Sequence, residues 1–246
     1  GLGEIADIQQ IYVDHTAAAI DEIGGEETTE AASEEETEVT EEASEAASEE
    51  ETTEAVSEEA TEVTEEVSEA ASEEETTEAA SEAADDDQAK ADEVADLIDA
   101  IYVQERTDDT DEQCKAAKEA WDALTDEQKE LVEGENADPD YFGRDTGDAS
   151  KDDPLNGDEI GENELLVVSF GTSFNDSRTA DIGGIEKALA AAYPDWSVRR
   201  AFTAQIIINH VEARDDEYID NMQQALDRAV ENGVKNLVVQ PTHLMH

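Results

Sequence analysis

A loop of small residues between an apolar run and a helical pattern is the first candidate binding site in this chain. The apolar run Leu165–Val168 leads into this loop, whose candidate substrate-binding residues are Ser169, Gly171, Thr172 and Ser173. Strand, tight loop and helix open an α/β unit, and ligands of such folds bind at the carboxyl ends of the strands. The loop can offer backbone N–H groups and hydroxyls to a carboxylate at the start of the following helix. The equally weighted alternative is a tight turn that needs small residues for steric reasons alone.

Two histidines and two arginines supply further candidates. His243 and His246 follow the third predicted strand, three residues apart. Because neutral imidazole is a good ligand for a divalent transition metal and a suitable base, we assign His243 a catalytic role and His246 a metal-binding role as hypotheses. A hydrogen-bonded structural histidine is the alternative for each. Arg178 and Arg200 are candidate partners for substrate carboxylates, and ordinary salt bridging is the alternative.

An α/β region over residues 164–246 positions these side chains. Its apolar runs predict strands at 165–170, 197–200 and 235–240, and its periodicity predicts helices at 177–192, 203–213 and 217–232. The first and third strands are unbroken apolar runs, as expected for a parallel sheet that is covered on both faces. His210 falls within the second of these helices, where a structural role is favoured.

Two segments of very different composition begin the chain. Residues 1–25 carry five isoleucines, Tyr12 and Ala19 at roughly three- and four-residue spacing, which predicts an amphipathic helix. Residues 26–88 are low in complexity: 28 acids and no Lys or Arg lie between Glu26 and Asp87, and two 24-residue repeats, Ala32–Ala55 and Val56–Ala79, match at 21 positions. Like-charge repulsion and the shortage of apolar side chains predict a disordered acidic spacer.

A small helical module over residues 89–133 follows. Its helices are marked by apolar stripes and by two capping boxes, Thr110 with Gln113 and Thr125 with Gln128. The stretch Trp121–Val132 resembles a helical repeat common in secreted proteins of Gram-positive bacteria. Residues 134–163 are rich in Gly, Asp, Asn and Pro and predict a linker to the α/β region.

The charge and cysteine content exclude several classes of protein. The formal net charge of the 246 residues is −56, which argues against binding to nucleic acid or to an anionic membrane, because both require clusters of Lys and Arg. No apolar run approaches the roughly 20 residues of a membrane span. Cys114 is the only cysteine, so an internal disulfide is excluded.

Four patches in the α/β region resemble the anaerobic cobalt chelatase family, in the family's order and spacing. They read VSFGTS, RAFT, QIII and QPTHLM, at Val168–Ser173, Arg200–Thr203, Gln205–Ile208 and Gln240–Met245. Four patches in register are a much stronger signal than the strand–loop motif alone. The resemblance implies that residues 164–246 form the N-terminal half of a two-domain α/β chelatase fold, with a parallel sheet flanked by helices.

The first residues resemble the opposite end of the same family. Gly1–Glu4, followed by Ile8, Ile11 and His15, is similar to the turn and last helix at the family's C-terminus. The resemblance therefore implies an internal slice of a tandem protein, with a second chelatase domain in the same polypeptide. Circular permutation and a chance match of a short helix are the alternatives. If the slice is real, residues 1–23 are expected to pack onto residues 164–246.

The family resemblance also implies a reaction. Members insert cobalt into sirohydrochlorin during anaerobic cobalamin biosynthesis, so the implied enzyme is a lyase whose substrates are cobalt(II) and a tetrapyrrole, with no organic cofactor. Its metal ligands are two His and one Glu in the C-terminal half, and the motifs that carry them do not occur in this sequence. This chain alone is therefore expected to be inactive.

Two other functions remain open at this point. One is a non-catalytic surface protein that binds a tetrapyrrole or a metal with the chelatase fold; the other is an α/β binding domain unrelated to tetrapyrroles. The acidic repeats and the helical module favour an exported, cell-surface protein, with a cytoplasmic location as the alternative.

Overall fold

The computed structural model describes residues 2–25, 74–158 and 160–242. Most of the predicted acidic spacer, residues 26–73, therefore lies outside the described residues. None of the helices in the described ranges combines the length and the apolar character needed to cross a membrane.

In the first half of the chain the described elements are all helices. In the second half helices and strands alternate. The helices are α1 (Ala6–Gly25), α2 (Glu74–Ile101), α3 (Thr110–Ala123), α4 (Asp126–Lys129), α5 (Pro139–Phe142), α6 (Asn175–Ser177), α7 (Gly183–Ala192), α8 (Gln205–Asp215) and α9 (Met222–Glu231). The strands are β1 (Asn163–Ser169), β2 (Ser197–Phe202) and β3 (Asn236–Pro241). A π-helical turn, Arg178–Ile182, joins α6 to α7, and 3-10 turns lie at Leu2–Glu4 and Ala149–Lys151.

The three strands form a parallel sheet in the order β2-β1-β3. In this register Val167 of β1 lies between Arg200 of β2 and Gln240 of β3. The central strand β1 is buried along nearly its whole length, as its unbroken apolar run predicts. The predicted α/β class, a parallel sheet flanked by helices, is confirmed.

Each face of the sheet is covered by a different set of helices. On one face, α7 and α1 pack against Leu165, Val167 and Val198. On the other face, α9 packs against Leu166, Val168 and Ala201 through Ala225 and its neighbours. Because successive residues of a strand point to opposite faces, the single apolar run of β1 supplies the core of both layers.

Helix α1 is bound to the α/β region by hydrogen bonds as well as by apolar packing. The Tyr12 hydroxyl donates to the Thr242 carbonyl at 2.8 Å, and the Tyr193 hydroxyl donates to the Val13 carbonyl at 2.5 Å. The Thr16 side chain is fully buried and lies 3.1 Å from the Gln240 amide oxygen. The expectation that the first residues pack onto the α/β region is therefore confirmed for α1.

The helical module forms a core of its own that extends onto α8. Val94 and Ile98 of α2 pack with Ala117 and Trp121 of α3, and Ala213 of α8 belongs to the same cluster. Helix α4 begins with the predicted capping box of Thr125 and Gln128.

The predicted Thr110–Gln113 box is wrong. Helix α3 begins at Thr110, after an Asp109 N-cap that makes no side-chain cap bond. The Thr110 hydroxyl instead accepts from the Thr107 N–H at 2.9 Å. Ser and Thr hydroxyls can bond to backbone groups on either side of them, so the same residue types fit a turn before the helix equally well.

Two predicted segment boundaries also require correction. Helix α2 begins at Glu74, inside the predicted disordered segment 26–88, and the Gln128 side-chain amide donates to Asp87 in that segment at 2.6 Å. Glu and Ala are good helix formers, so a helix docked from Ala91 onwards extends towards the N-terminus.

The predicted linker 134–163 is packed rather than free. The Asp99 carboxylate accepts from three of its backbone N–H groups, those of Glu135, Asn136 and Ala137, and the segment continues into direct contact with the α/β region. Its Gly, Asp, Asn and Pro content correctly indicates irregular backbone. Irregular backbone can nevertheless be fixed by side-chain hydrogen bonds to its N–H groups.

Candidate functional site

The carboxyl ends of β1 and β3 are tied together by hydroxyl groups. The side-chain oxygens of Ser169 and Thr242 lie 2.7 Å apart, and the Thr242 N–H donates to the Val168 carbonyl at 2.9 Å. Ser169 is buried. Its hydroxyl is therefore used within the sheet edge, and its predicted substrate-binding role remains untested.

Gly171 turns the chain sharply after β1. Its φ is +103°, and a Cβ atom at this position would lie 2.6 Å from the ring of the buried Phe202. A positive φ and a close aromatic neighbour both require glycine. The structure thus gives a steric reason for glycine at position 171, and its predicted substrate-binding role stays a prediction.

The rest of the loop divides into a buried and an exposed part. Ser173 is buried, with its hydroxyl 3.2 Å from the Tyr141 hydroxyl and its carbonyl accepting from Arg214 at 2.6 Å. Thr172 is half-buried and accepts from the Phe174 N–H at 3.1 Å. Phe170 and Phe174 are 50% and 39% exposed. The surface offered at the carboxyl end of β1 therefore consists of two aromatic rings and the backbone between them.

Arg178 and Arg200 do bind carboxylates, but the carboxylates are the protein's own. Arg178 donates to Asp152 at 2.7 Å and to Glu217 at 2.6 Å. Arg200 donates to Asp152 at 2.6 and 3.0 Å and to Glu186 at 2.8 and 2.7 Å. Both guanidinium groups are completely buried. Their predicted role in substrate binding stays a prediction, and it requires one of these carboxylates to move.

The pKa values of the three acids in this cluster are shifted in different directions. Burial favours the neutral form of Asp152, but the two guanidinium groups outweigh it and hold the pKa of this carboxyl below its usual range. Burial raises the pKa of Glu217 to about 7, against the attraction of Arg178 and with the help of the neighbouring Asp152 carboxylate. Burial also raises the pKa of Glu186, against its hydrogen bonds to Arg200. Two arginines therefore share three acids, of which Glu186 and Glu217 have raised pKa values.

The two histidines of the predicted site, His243 and His246, lie outside the described residues. His210 is described, and it is buried with its ring centroid 4.6 Å from that of Tyr141. Burial, followed by the nearby Arg214, lowers its pKa to about 4, so its imidazole is neutral. Its burial and ring contact agree with the predicted structural role of His210. No group of three His, Cys, Asp or Glu side chains suited to a metal ion occurs within the described ranges.

A second group of titratable residues lies where α3 contacts α8. The Glu212 carboxyl of α8 is buried, and burial, followed by the neighbouring Asp111, raises its pKa to about 8. Asp111 itself is paired with Arg106 at 2.5 Å. The interface is also held by the Asn209 side-chain amide, which donates to the Ile101 carbonyl at the end of α2 at 2.8 Å.

In comparisons with known proteins, the second half of the chain matches cobalt chelatases. Residues 163–246 match the family model described as Cobalt chelatase (CbiK). Over an aligned stretch of 82 residues the chain is 40% identical to the sirohydrochlorin cobaltochelatase of Salmonella typhimurium (strain LT2). The aligned stretch makes up 33% of this chain and 31% of that protein. The chain thus spans about a third of the length of this relative. No solved structure matches the chain significantly.

Several residues around the candidate site were not expected from the sequence. Asp152, Glu186 and Glu217 neutralise the two buried arginines, and Tyr141 reaches the loop from the predicted linker. Glu186 alone carries a signal, since it lies beside Ile185 and three positions before Leu189 on a helix face that is otherwise apolar. A carboxylate next to such positions is expected to be buried and paired.

Proposed function

Because residues 163–246 match the cobalt chelatase family model, we propose that this chain supplies one wall of the cleft in which a metal chelatase holds its tetrapyrrole. The specific reaction proposed is the insertion of cobalt(II) into sirohydrochlorin. The chain corresponds to about a third of the relative, so the complete reaction belongs to a longer protein or to an assembly that contains this chain.

The observation that carries the proposal is the surface at the carboxyl end of β1. The loop after β1 presents Phe170 and Phe174 to solvent, with the half-buried Gly171 and Thr172 between them. Ligands of parallel α/β sheets bind at this edge. A flat macrocycle suits aromatic faces, which favour offset stacking or edge contacts.

Metal insertion requires a metal ligand, a base for the two pyrrole protons and a cleft that orients the macrocycle. The described residues provide the wall of the cleft. His243 remains the proposed base and His246 the proposed metal contact, since both follow Thr242, which lies at the carboxyl end of β3. The buried Arg178 and Arg200 stabilise the wall through Asp152, and they bind substrate only if that carboxylate is displaced.

Helix α1 supports the proposed tandem arrangement. It covers α7 and β3 as an integral part of the fold, with buried Tyr12 and Thr16 in the contact. This position is expected if α1 is the last helix of a preceding chelatase copy and packs on the first half of the next copy. The mass of the native gene product tests the arrangement, because a tandem protein must exceed twice the 26.7 kDa of this chain.

The reaction is tested in two steps. The chain is first titrated with sirohydrochlorin, and binding is followed by the absorbance of the macrocycle; the native gene product is then assayed for cobalt insertion. We expect the chain to bind and the native product to insert cobalt. If neither binds sirohydrochlorin, the proposal is wrong. Binding by the native product without insertion would favour a non-catalytic tetrapyrrole-binding protein.

A further inference from the structure

A segment outside the family match is built into the edge of the candidate site. The Asp176 N–H donates to the Thr146 carbonyl at 2.8 Å, and the Asn175 N–H donates to the Thr146 hydroxyl at 3.2 Å. The Asn175 side-chain amide donates to the Gly147 carbonyl at 3.1 Å. Two backbone donors and one side-chain donor of Asn175 and Asp176 therefore bind residues 146–147. These hydrogen bonds fix the position of residues 146–147 relative to the site.

The other end of the segment is anchored as well. The Tyr141 hydroxyl lies 3.2 Å from the Ser173 hydroxyl, and the Tyr141 ring packs edge-on against His210. Gly147 has a φ of +108°, and a Cβ there would lie 2.1 Å from the Asp176 carboxylate. Contacts on both sides thus fix the backbone that carries Arg144.

Arg144 lies between these anchors and is exposed. Its guanidinium carbon is 5.7 Å from the centroid of the Phe174 ring, a distance at which a cation is attracted to an aromatic face. Within the described ranges Arg144 has no acidic partner. Arg178 and Arg200 each have two.

An arginine without an acidic partner is notable in a chain whose net charge is −56. Its neighbour Asp145 accepts a hydrogen bond from the Gly147 N–H at 3.1 Å, so that carboxylate caps the turn and forms no ion pair with Arg144. The guanidinium is left available to an external anion, beside the carboxyl end of β1, the edge at which parallel α/β sheets bind their ligands.

We propose that Arg144 binds an acidic side arm of the tetrapyrrole while the Phe174 ring contacts the macrocycle, so that a segment outside the family match adds a residue to the substrate site. The inference rests on the proposed function. A guanidinium binds a carboxylate through two parallel hydrogen bonds, which fixes orientation as well as charge. An aromatic ring beside it favours a planar ligand over a flexible carboxylate.

The experiment compares the binding of metal-free sirohydrochlorin to the full chain and to three variants, by absorbance titration at low and high salt. Arg144→Met is expected to weaken binding roughly 10- to 100-fold, as for a lost hydrogen bond to a charged group. Arg144→Lys should recover part of this loss, because lysine keeps the charge but not the paired donors. Lys115→Met, at an exposed position on α3, removes the same charge and should change affinity less than about twofold.

A second probe separates charge from shape. Sirohydrochlorin with esterified carboxyl groups offers no anion, so the wild-type chain and Arg144→Met should bind it equally. If Arg144→Met binds free sirohydrochlorin as tightly as the wild type does, the role of Arg144 is refuted while the proposed function stands. If the wild-type chain binds no sirohydrochlorin, the role of Arg144 is refuted, and the proposed function is refuted as well if the native gene product does not bind it either. Since Arg144 is exposed, unchanged thermal denaturation of the variants verifies that folding is intact.

Discussion

The Asp152 carboxylate bridges two buried guanidinium groups, with its Oδ2 atom 2.7 Å from Nε of Arg178 and 2.6 Å from Nη1 of Arg200. The two arginines belong to the residues that match the chelatase family, whereas Asp152 precedes them. The Leu155 carbonyl, also before the match, accepts from the Arg200 N–H at 3.4 Å. The region that matches the family, residues 163–246, therefore depends on residues before the match to bind its buried arginines.

Asp152→Asn should be strongly destabilising. The side chain is only 2% exposed, and removing one partner of a buried ion pair leaves uncompensated charge that costs about 3 kcal/mol. Urea denaturation measures this change in the free energy of unfolding. Asp153→Asn is the matched control, because Asp153 is exposed and its amide variant still accepts from the Leu155 N–H. Equal stability of the two variants would show that the bridge contributes nothing.

Glu212 should make the stability fall as the pH rises. The pKa of this carboxyl is raised from an ordinary value of 4.5 to about 8 in the folded chain. Between these values the unfolded chain releases a proton that the folded chain keeps, so stability is lost with rising pH, by at most about 1.4 kcal/mol per pH unit. Below pH 4.5 the contribution is fully present.

The variant Glu212→Gln tests this pH dependence. Relative to the wild type, it should lose less stability between pH 5 and pH 8 in urea denaturation, because glutamine does not titrate. Glu112→Gln, at an exposed position of α3, should retain the wild-type dependence. Parallel curves for wild type and Glu212→Gln would refute the assignment.

Gly184→Ala should lower stability although it lies in a helix. An alanine in a helix interior ordinarily stabilises by about 1 kcal/mol relative to glycine. Here the added Cβ would lie 2.5 Å from the Gly3 carbonyl oxygen, and relieving such a contact typically costs about 1–3 kcal/mol. Thermal denaturation and hydrogen exchange of α1 measure the effect. The control Gly157→Ala has open space around it, and a more stable Gly184→Ala would mean that the turn before α1 is not docked here.

Cys114 should report on opening of the helical module. It is completely buried, and burial, with the nearby Glu212 as the next contribution, raises the pKa of its thiol to about 12. Since the thiolate is the reactive form, a thiol reagent should modify the native chain far more slowly than the urea-unfolded chain. As the only cysteine, it gives an unambiguous signal. Rapid modification of the native chain would show that the helices packed around Cys114 separate readily.

The sheet and its helices could be predicted because each depends on local periodicity. The run Leu165–Val168 is apolar on both strand faces, and Thr125 with Gln128 caps a helix within four residues. The Thr110 box failed because a hydroxyl can bond to the turn before the helix as readily as to the helix itself. The strand–loop motif also located the turn at Gly171.

The arginine cluster could not be predicted in the same way. Asp152 lies 26 residues before Arg178 and 48 before Arg200, and no spacing rule connects residues at such separations. In a chain with 70 acidic residues, composition gives no reason to single out one aspartate. The exposed position of Arg144 depends on the same long-range docking of residues 141–147.

The docking of α1 has a consequence for how the fold tolerates changes in chain length. The hydrogen bond from Tyr12 to Thr242 joins residues 230 positions apart, so it closes nearly the whole chain into one loop. The entropy of closing a flexible loop grows only logarithmically, by about 0.6 kcal/mol for each doubling of length. Gain or loss of one 24-residue repeat is a small fraction of a doubling. Adding or removing one repeat is therefore expected to change the free energy of closing this loop by only about 0.1 kcal/mol.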